Sequence, residues 1–163
     1  MPLAPTKAIP PMPSTQLQVV LTFLRAMTSE DTSATEILAT TLTEDYTYTF
    51  LPQSLGYPVR NKERFLAYAR KTPLALFRNL QLYIRQVIEA PGKIIVQAAS
   101  TATFHTGVPY GNEYMFLHHL IQEGGEWKIQ KVEEFVDSRA MVHFVPSRTP
   151  LRFSGQDIHG SKL

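Results

Sequence analysis

The chain is expected to adopt an α+β fold. Three N-terminal helices should pack on one face of a curved antiparallel sheet of four long strands plus a short one, giving a cone. Three observations carry this expectation. Apolar residues recur at helical spacing between residues 14 and 71, then switch to strand-like alternation between residues 80 and 137. Pro91-Gly92 and Gly124-Gly125 separate alternating runs by turns so short that the flanking strands must be antiparallel neighbours. A chain of 163 residues with 44 % hydrophobic content suffices for one core, whereas two domains would each be too small to be comfortable.

Each element has its own local cause. Residues 1–13 carry Pro2, Pro5, Pro10, Pro11 and Pro13 and are expected to form a disordered arm. Residues 14–27 read as helix, capped by Ser14 or Thr15, with Leu17, Val20, Leu21 and Leu24 on one face. A second helix over 33–42 should bury Ile37, Leu38 and Leu42. Tyr46 to Phe50 alternates aromatic and β-branched residues and should be a short strand, stopped by Pro52. After a Pro/Ser/Gly loop, Asn61 can cap a third helix over 62–71 that Pro73 should end.

The sheet follows. Leu80, Leu82, Ile84 and Ile88 mark one face of a long strand, and Gln81, Tyr83, Arg85 and Val87 the other. The strand over 93–105 contains Ala98, Ala99, Ser100 and Ala102, whose small side chains leave room beside them. A loop over 107–111 leads to a strand over 112–122, and the last strand runs over 127–137. Residues 140–145 are either a closing helix or a further strand. One domain should thus cover 14–145, followed by a flexible tail over 146–163. Trp127, Ile129 and Phe135 are expected on one face of the last strand; a homodimer through the open sheet face is the simplest cover for it.

Composition narrows the function classes. Net charge is +2, with acids and bases interspersed and no basic stripe, so no nucleic-acid partner is expected. The absence of Cys removes disulfides, thiol catalysis and thiolate ligands, and no His/Asp/Glu cluster has recognisable metal-ligand spacing, so no metal is expected. No apolar run approaches the roughly 20 residues of a spanning helix, so no membrane partner is expected either. Ser161-Lys162-Leu163 at a free C-terminus is a peroxisomal address, read by a soluble import receptor; the expected location is peroxisomal, with cytoplasmic as the alternative.

The chemistry concentrates on the last strand. Adjacent acids Glu133 and Glu134 must point to opposite faces, so one enters the covered space, where a carboxyl is either paired or raised in pKa. Glu134 or Glu133, whichever the register turns inward, is the candidate general acid or base. His118 and His119 split in the same way. His118 shares a face with Asn112, Tyr114 and Phe116 and is preferred as a proton relay, although either histidine also fits a satisfied core or interface position. Tyr48 can donate a hydrogen bond to a carbonyl or enolate oxygen, and Asn112 can hold a substrate oxygen. Tyr83, Tyr114 and Phe116 would supply wall. Asp137 should cap the segment that follows.

Three stretches are similar to the nuclear transport factor 2-like superfamily, and within it to the SnoaL-like polyketide cyclase group. They are Asp45-Tyr46-Thr47-Tyr48 with Pro52, Gly56 and Asn61-Lys62-Glu63; Gly111-Asn112-Glu113-Tyr114; and Val132-Glu133-Glu134-Phe135-Val136-Asp137. The resemblance spans residues 14–144 and includes small fungal members of secondary metabolism. It implies a ligand inside the cone, an acid at Glu134 facing it, and a polar first-strand residue at Tyr48. Where epoxide hydrolases of this superfamily carry an Arg–Asp pair on the middle strand, this chain has Gln97, Ala99 and Thr101, which argues against that chemistry. The expected function is a cofactor-independent isomerase, cyclase or dehydratase that transfers a proton on a small apolar oxygenated metabolite, with no cofactor. The alternative is a non-catalytic binding or dimerisation module of the same fold.

Overall fold

The computed structural model describes residues 9–144. The expected arm at 1–13 therefore enters it only from residue 9, where Ile9 leans on the core. The tail at 146–163, with Ser161-Lys162-Leu163, lies outside the described residues.

Helix α1 spans Thr15–Met27, and Ser14 caps it by accepting the Leu17 N–H at 3.1 Å. Its buried stripe contains the four expected residues and Phe23. Helix α2, Ala34–Thr41, is shorter than expected. It buries Leu38, but Ile37 falls beside the stripe and is 41 % exposed. Strand β1 begins at once and runs Leu42–Leu51, so it is a long strand rather than a short one. Its alternation sends Tyr46, Tyr48 and Phe50 inward. A short 3-10 turn, Gln53–Leu55, and the two-residue strand β2, Arg60–Asn61, lead into helix α3, Lys62–Leu76. Asn61 caps α3 through Arg64 N–H at 3.0 Å. Pro73 does not end that helix. A proline removes one intrahelical hydrogen bond, and the backbone continues to Leu76.

Strands β3 (Phe77–Ala90), β4 (Lys93–Phe104), β5 (Pro109–Glu123) and β6 (Glu126–Val136) form the antiparallel meander. The six-stranded sheet has the order β2-β1-β6-β5-β4-β3. It is mixed, because β1 lies parallel to β6. A helix and the whole meander intervene between those two strands, so nothing forces the antiparallel arrangement that a hairpin would. Helix α4, Ser138–Phe144, settles the last segment as a closing helix, with Asp137 Oδ1 accepting the Arg139 N–H at 2.9 Å.

Two bulges change which residues face the core. In β3, Ile84 pairs with Ala98 and Gln86 with Gln97, which leaves Arg85 unpaired and flips the alternation. Val87 therefore packs on the core with Leu82 and Ile84, and Ile88, expected inward, is 53 % exposed. In β6, Ile129 pairs with Leu120 and Lys131 with His119, so Gln130 is the extra residue. Trp127 and Ile129 then face inward, whereas Phe135, expected to share their face, points out.

The core lies between α1, α2, α3 and the concave face of the sheet. Its aromatic centre is Phe65, stacked on Phe23 at 5.7 Å and on Tyr48 at 4.7 Å between ring centroids. These rings close one end of the cone, while the small inward residues Ala98, Ser100 and Ala102 of β4 leave the other end open.

Candidate active site

The site begins with the parity of β6. Beyond the Gln130 bulge, Val132, Glu134 and Val136 are all buried on the inner face. Glu133 takes the outer face, where His119 Nε2 at 3.1 Å and Lys131 Nζ at 3.0 Å engage its carboxylate. Partial burial works against ionisation of Glu133, yet those hydrogen bonds hold it below the ordinary carboxylate range. Among the described residues Glu134 has no ion-pair partner. Burial alone pushes its pKa up to about 8, against an ordinary 4.5. Adjacent acids are thus tuned in opposite directions by one step of the pleat.

Glu134 lies on the wall of a cavity of about 360 Å³. Phe50, Tyr114 and Phe116 bring aromatic surface to it, α1 brings Leu24 and Met27, and α4 brings Met141. The sheet places Phe50 and Phe116 on either side of Glu134, since both are its cross-strand partners. Tyr48 O–H donates to Glu134 Oε2 from the neighbouring strand. Tyr48 is fully buried and is not on the cavity wall, so its hydroxyl holds the acid and is not presented to a ligand.

The other expected site residues separate. Tyr114 and Phe116 stack at 5.3 Å and line the cavity. The Tyr114 hydroxyl is 2.8 Å from Ser100 Oγ and 3.3 Å from the Tyr110 hydroxyl, and burial raises its pKa well above the ordinary phenol range. His118 faces inward as expected, but it lies one pleat deeper, between Phe23 and Phe116, and is not on the wall. Its Nδ1 is 3.3 Å from the Ile94 carbonyl oxygen, and burial lowers its pKa to about 4. This is a neutral core imidazole, which corrects its expected place in the ligand space.

Asn112 also leaves the site. Its side chain donates to the Tyr110 hydroxyl at 3.0 Å and accepts the Asp137 N–H at 3.2 Å, tying the start of β5 to the end of β6. Asn112 and the half-exposed Tyr83 line a larger groove of about 1220 Å³ rather than the cavity. The two hollows share Leu24, Thr28, Leu82 and Ser100, so the groove adjoins the cavity along that wall.

Sequence reasoning missed Arg60. It pairs with Tyr48 across β2 and β1, which turns its side chain to the same inner face. The guanidinium lies 4.5 Å from the Tyr68 ring centroid, 5.2 Å from Phe50 and 6.0 Å from Tyr57, and Arg60 lines the cavity. The available signal was an arginine after Tyr57 and directly before the Asn61 cap.

Among the described residues, no group of three or more His, Cys, Asp or Glu side chains is placed to hold a metal ion. Nor is any described helix long and apolar enough to cross a membrane.

A helix-covered cone with an uncharged-leaning acid on an aromatic hollow defines a class of α+β proteins with a cavity inside the cone. No family model matches the chain. It is 30 % identical to Monooxygenase AacuO of Aspergillus aculeatus over 138 residues, which cover 82 % of this chain and 80 % of that protein. BvnE pinacolase from Penicillium brevicompactum has the same fold, with a TM-score of 0.64 at 24 % identity, over 80 % of this chain and 94 % of that one. A SnoaL-like protein from Jannaschia Sp. CCS1 superposes with a TM-score of 0.62 at 17 % identity, over 85 % and 98 % of the two chains. The chain belongs to the same family as Monooxygenase AacuO, and its fold is that of the SnoaL-like and NTF2-like structures.

Proposed function

We propose that the protein is a cofactor-independent enzyme that transfers a proton on a small, largely apolar oxygenated metabolite held inside the cone. Isomerisation, cyclisation and dehydration all need this step. The observation that carries the reading is Glu134, a buried carboxyl on the wall of an aromatic cavity, fixed by Tyr48. With its pKa near 8, Glu134 has both protonation states accessible around neutrality, as a group that gives and takes a proton must. A cone filled by its own side chains would have favoured the non-catalytic alternative; a partly polar cavity favours turnover. BvnE, a pinacolase by name, supports the reading that this fold can carry catalysis, an argument from fold analogy.

A second reading draws on the name of AacuO. Ionised Glu134 would take a proton from an enol or phenol. The anion's carbon, which still bears a hydrogen, would bond to molecular oxygen, and Glu134 would return the proton to the peroxide. Cleavage of the O–O bond with loss of water would leave a new carbonyl, O2 being reduced to that carbonyl oxygen and the water. One experiment addresses both readings. Candidate substrates are offered to the wild type and to Glu134→Gln, with product formation and oxygen uptake followed together. Loss of turnover by about 100-fold or more in the variant supports proton transfer by Glu134. Oxygen uptake stoichiometric with product selects the oxygenase, and unchanged turnover in the variant rejects both.

Residence and assembly are part of the same proposal. Where Ser161-Lys162-Leu163 stands at a free C-terminus, its deletion should release the protein from peroxisomes to the cytosol; an unchanged distribution rejects the address. The outer sheet face is proposed to pair with a second copy.

A further inference from the structure

Among the described residues, Arg60 is a cation without an anion. Among the described residues its guanidinium forms no ion pair, and Nη1 is shut off from solvent with no hydrogen-bond partner. Its neighbours are three aromatic rings, whose faces attract a cation but accept no hydrogen bond in the guanidinium plane. The Tyr68 hydroxyl offers no charge. Burial holds Tyr68 up at about 12 even though Arg60 itself pulls the other way. Glu134 leans to its neutral acid form around pH 7. The cavity therefore carries an uncompensated positive charge in a largely apolar wall, and burying a donor of this kind without a partner is costly. Arginine presents a planar fork of N–H donors suited to two oxygens.

The three strands β2, β1 and β6 set this charge beside the acid. Arg60 is opposite Tyr48, Phe50 is opposite Glu134, and Arg60 lies over Phe50. Both functional groups thus share one end of the cavity wall, with aromatic rings around them. We propose that Arg60 binds an oxyanion borne on an aromatic ligand, carboxylate or phenolate, and so orients the ligand's ring against Phe50 and Tyr68 with its reacting atom toward Glu134. The substrate class is then an aryl acid or an acidic phenol rather than a neutral hydrocarbon-like metabolite. This inference rests on the proposed use of the same cavity, and it names what that cavity selects.

The test compares 2-naphthoate with its uncharged counterpart 2-naphthamide by isothermal titration against the full chain. The wild type should prefer the carboxylate by about tenfold or more, the range of a charge-assisted hydrogen bond. Arg60→Gln should erase that preference, and Arg60→Lys should keep part of it through charge alone. Glu134→Gln should keep it in full, because Glu134 is not the anion's partner. That arm separates the anchoring role from proton transfer: dead turnover with intact preference leaves Arg60's role standing. Equal affinity of the wild type for the two probes, or no binding of either, overturns the proposal without reliance on any variant. Retained preference in a folded Arg60→Gln protein, checked by circular dichroism, overturns it as well.

Discussion

Two buried groups at the centre of the cone titrate in opposite senses, and each leaves its mark on stability. Glu134 has a folded pKa of about 8 against an ordinary 4.5. Between those values the folded protein holds a proton that the unfolded chain has released, so this group makes stability fall as pH rises from 4.5 to about 8 and adds no further loss above. The total is on the order of a few kcal/mol. His118 is lowered to about 4 from 6.5, so the unfolded chain binds the extra proton there and stability falls as pH drops through that window. The two slopes oppose each other between 4.5 and 6.5, so thermal unfolding from pH 4 to 9 should be nearly flat there and decline from about 6.5 to 8. Glu134→Gln is expected to abolish the alkaline decline and unmask a fall toward acid, and His118→Leu to extend the alkaline decline down to about 4.5; a wild-type-like profile in either variant assigns its slope to another group. Turnover carries the matching sign. If Glu134 acts as an acid, the rate falls about tenfold per pH unit above about 8, and if it acts as a base, below it. Tyr48 donates to the carboxyl and so favours its charged form. Tyr48→Phe is therefore expected to move that inflection upward, and a downward shift would contradict the hydrogen bond's role.

At the scale of elements, a single side chain clamps α1 to the sheet. Gln16 is buried; its Nε2 donates to Glu89 Oε1 at 2.7 Å and to the Ala90 carbonyl at 3.1 Å, and its Oε1 accepts the Gly92 N–H at 3.1 Å. Gly92 has φ 71°, and a Cβ there would come within 3.1 Å of the Leu120 carbonyl oxygen. Gln16→Ala removes the three hydrogen bonds that tie α1 to the end of β3 and its turn, and should lower stability by about 1–2 kcal/mol in denaturant melts. Gly92→Ala should cost about 1 kcal/mol or more through backbone strain and close approach together. Equal stability to wild type in either variant would remove the clamp from the account. The same scale shows what was legible in the sequence. Element order, the Ser14 and Asn61 caps and the opposite facing of Glu133 and Glu134 follow from local rules of spacing and alternation; which of the two acids turns inward does not, because the Gln130 bulge decides it. Those rules fail where an extra residue enters a strand. Arg85 and Gln130 look like ordinary strand residues, yet each resets the parity beyond it and decides the fate of Ile88 and Phe135. The parallel pairing of β1 with β6, and with it the meeting of Tyr48 and Glu134, joins residues too far apart for any local rule. Arg60 was hidden for a related reason: its two-residue strand is defined only by what it pairs with.

Among the described residues, no helix covers the outer face of the sheet. The Gln130 bulge that turns Glu134 inward also turns Phe135 outward, where it is 52 % exposed beside its cross-strand partner Met115 at 44 %. A row of Ile88, Ile95 and Leu117 crosses β3, β4 and β5 on the same outer side. Contiguous apolar surface of this kind is uncommon on a solitary soluble domain, and a stable pairing needs on the order of 800 Å² from each partner. A two-fold pairing through this face makes each chain both donor and receptor of the same patch, so a charge placed near its centre meets its own copy. Phe135→Lys introduces that repulsion twice while changing nothing on the cavity wall, since Phe135 points away from Glu134. Sedimentation velocity should therefore show a dimer for the wild type and a monomer for Phe135→Lys, with 2-naphthoate binding intact in both. A wild type that sediments as a monomer at micromolar concentration, or a variant that stays dimeric, would mean that this face is not where copies meet.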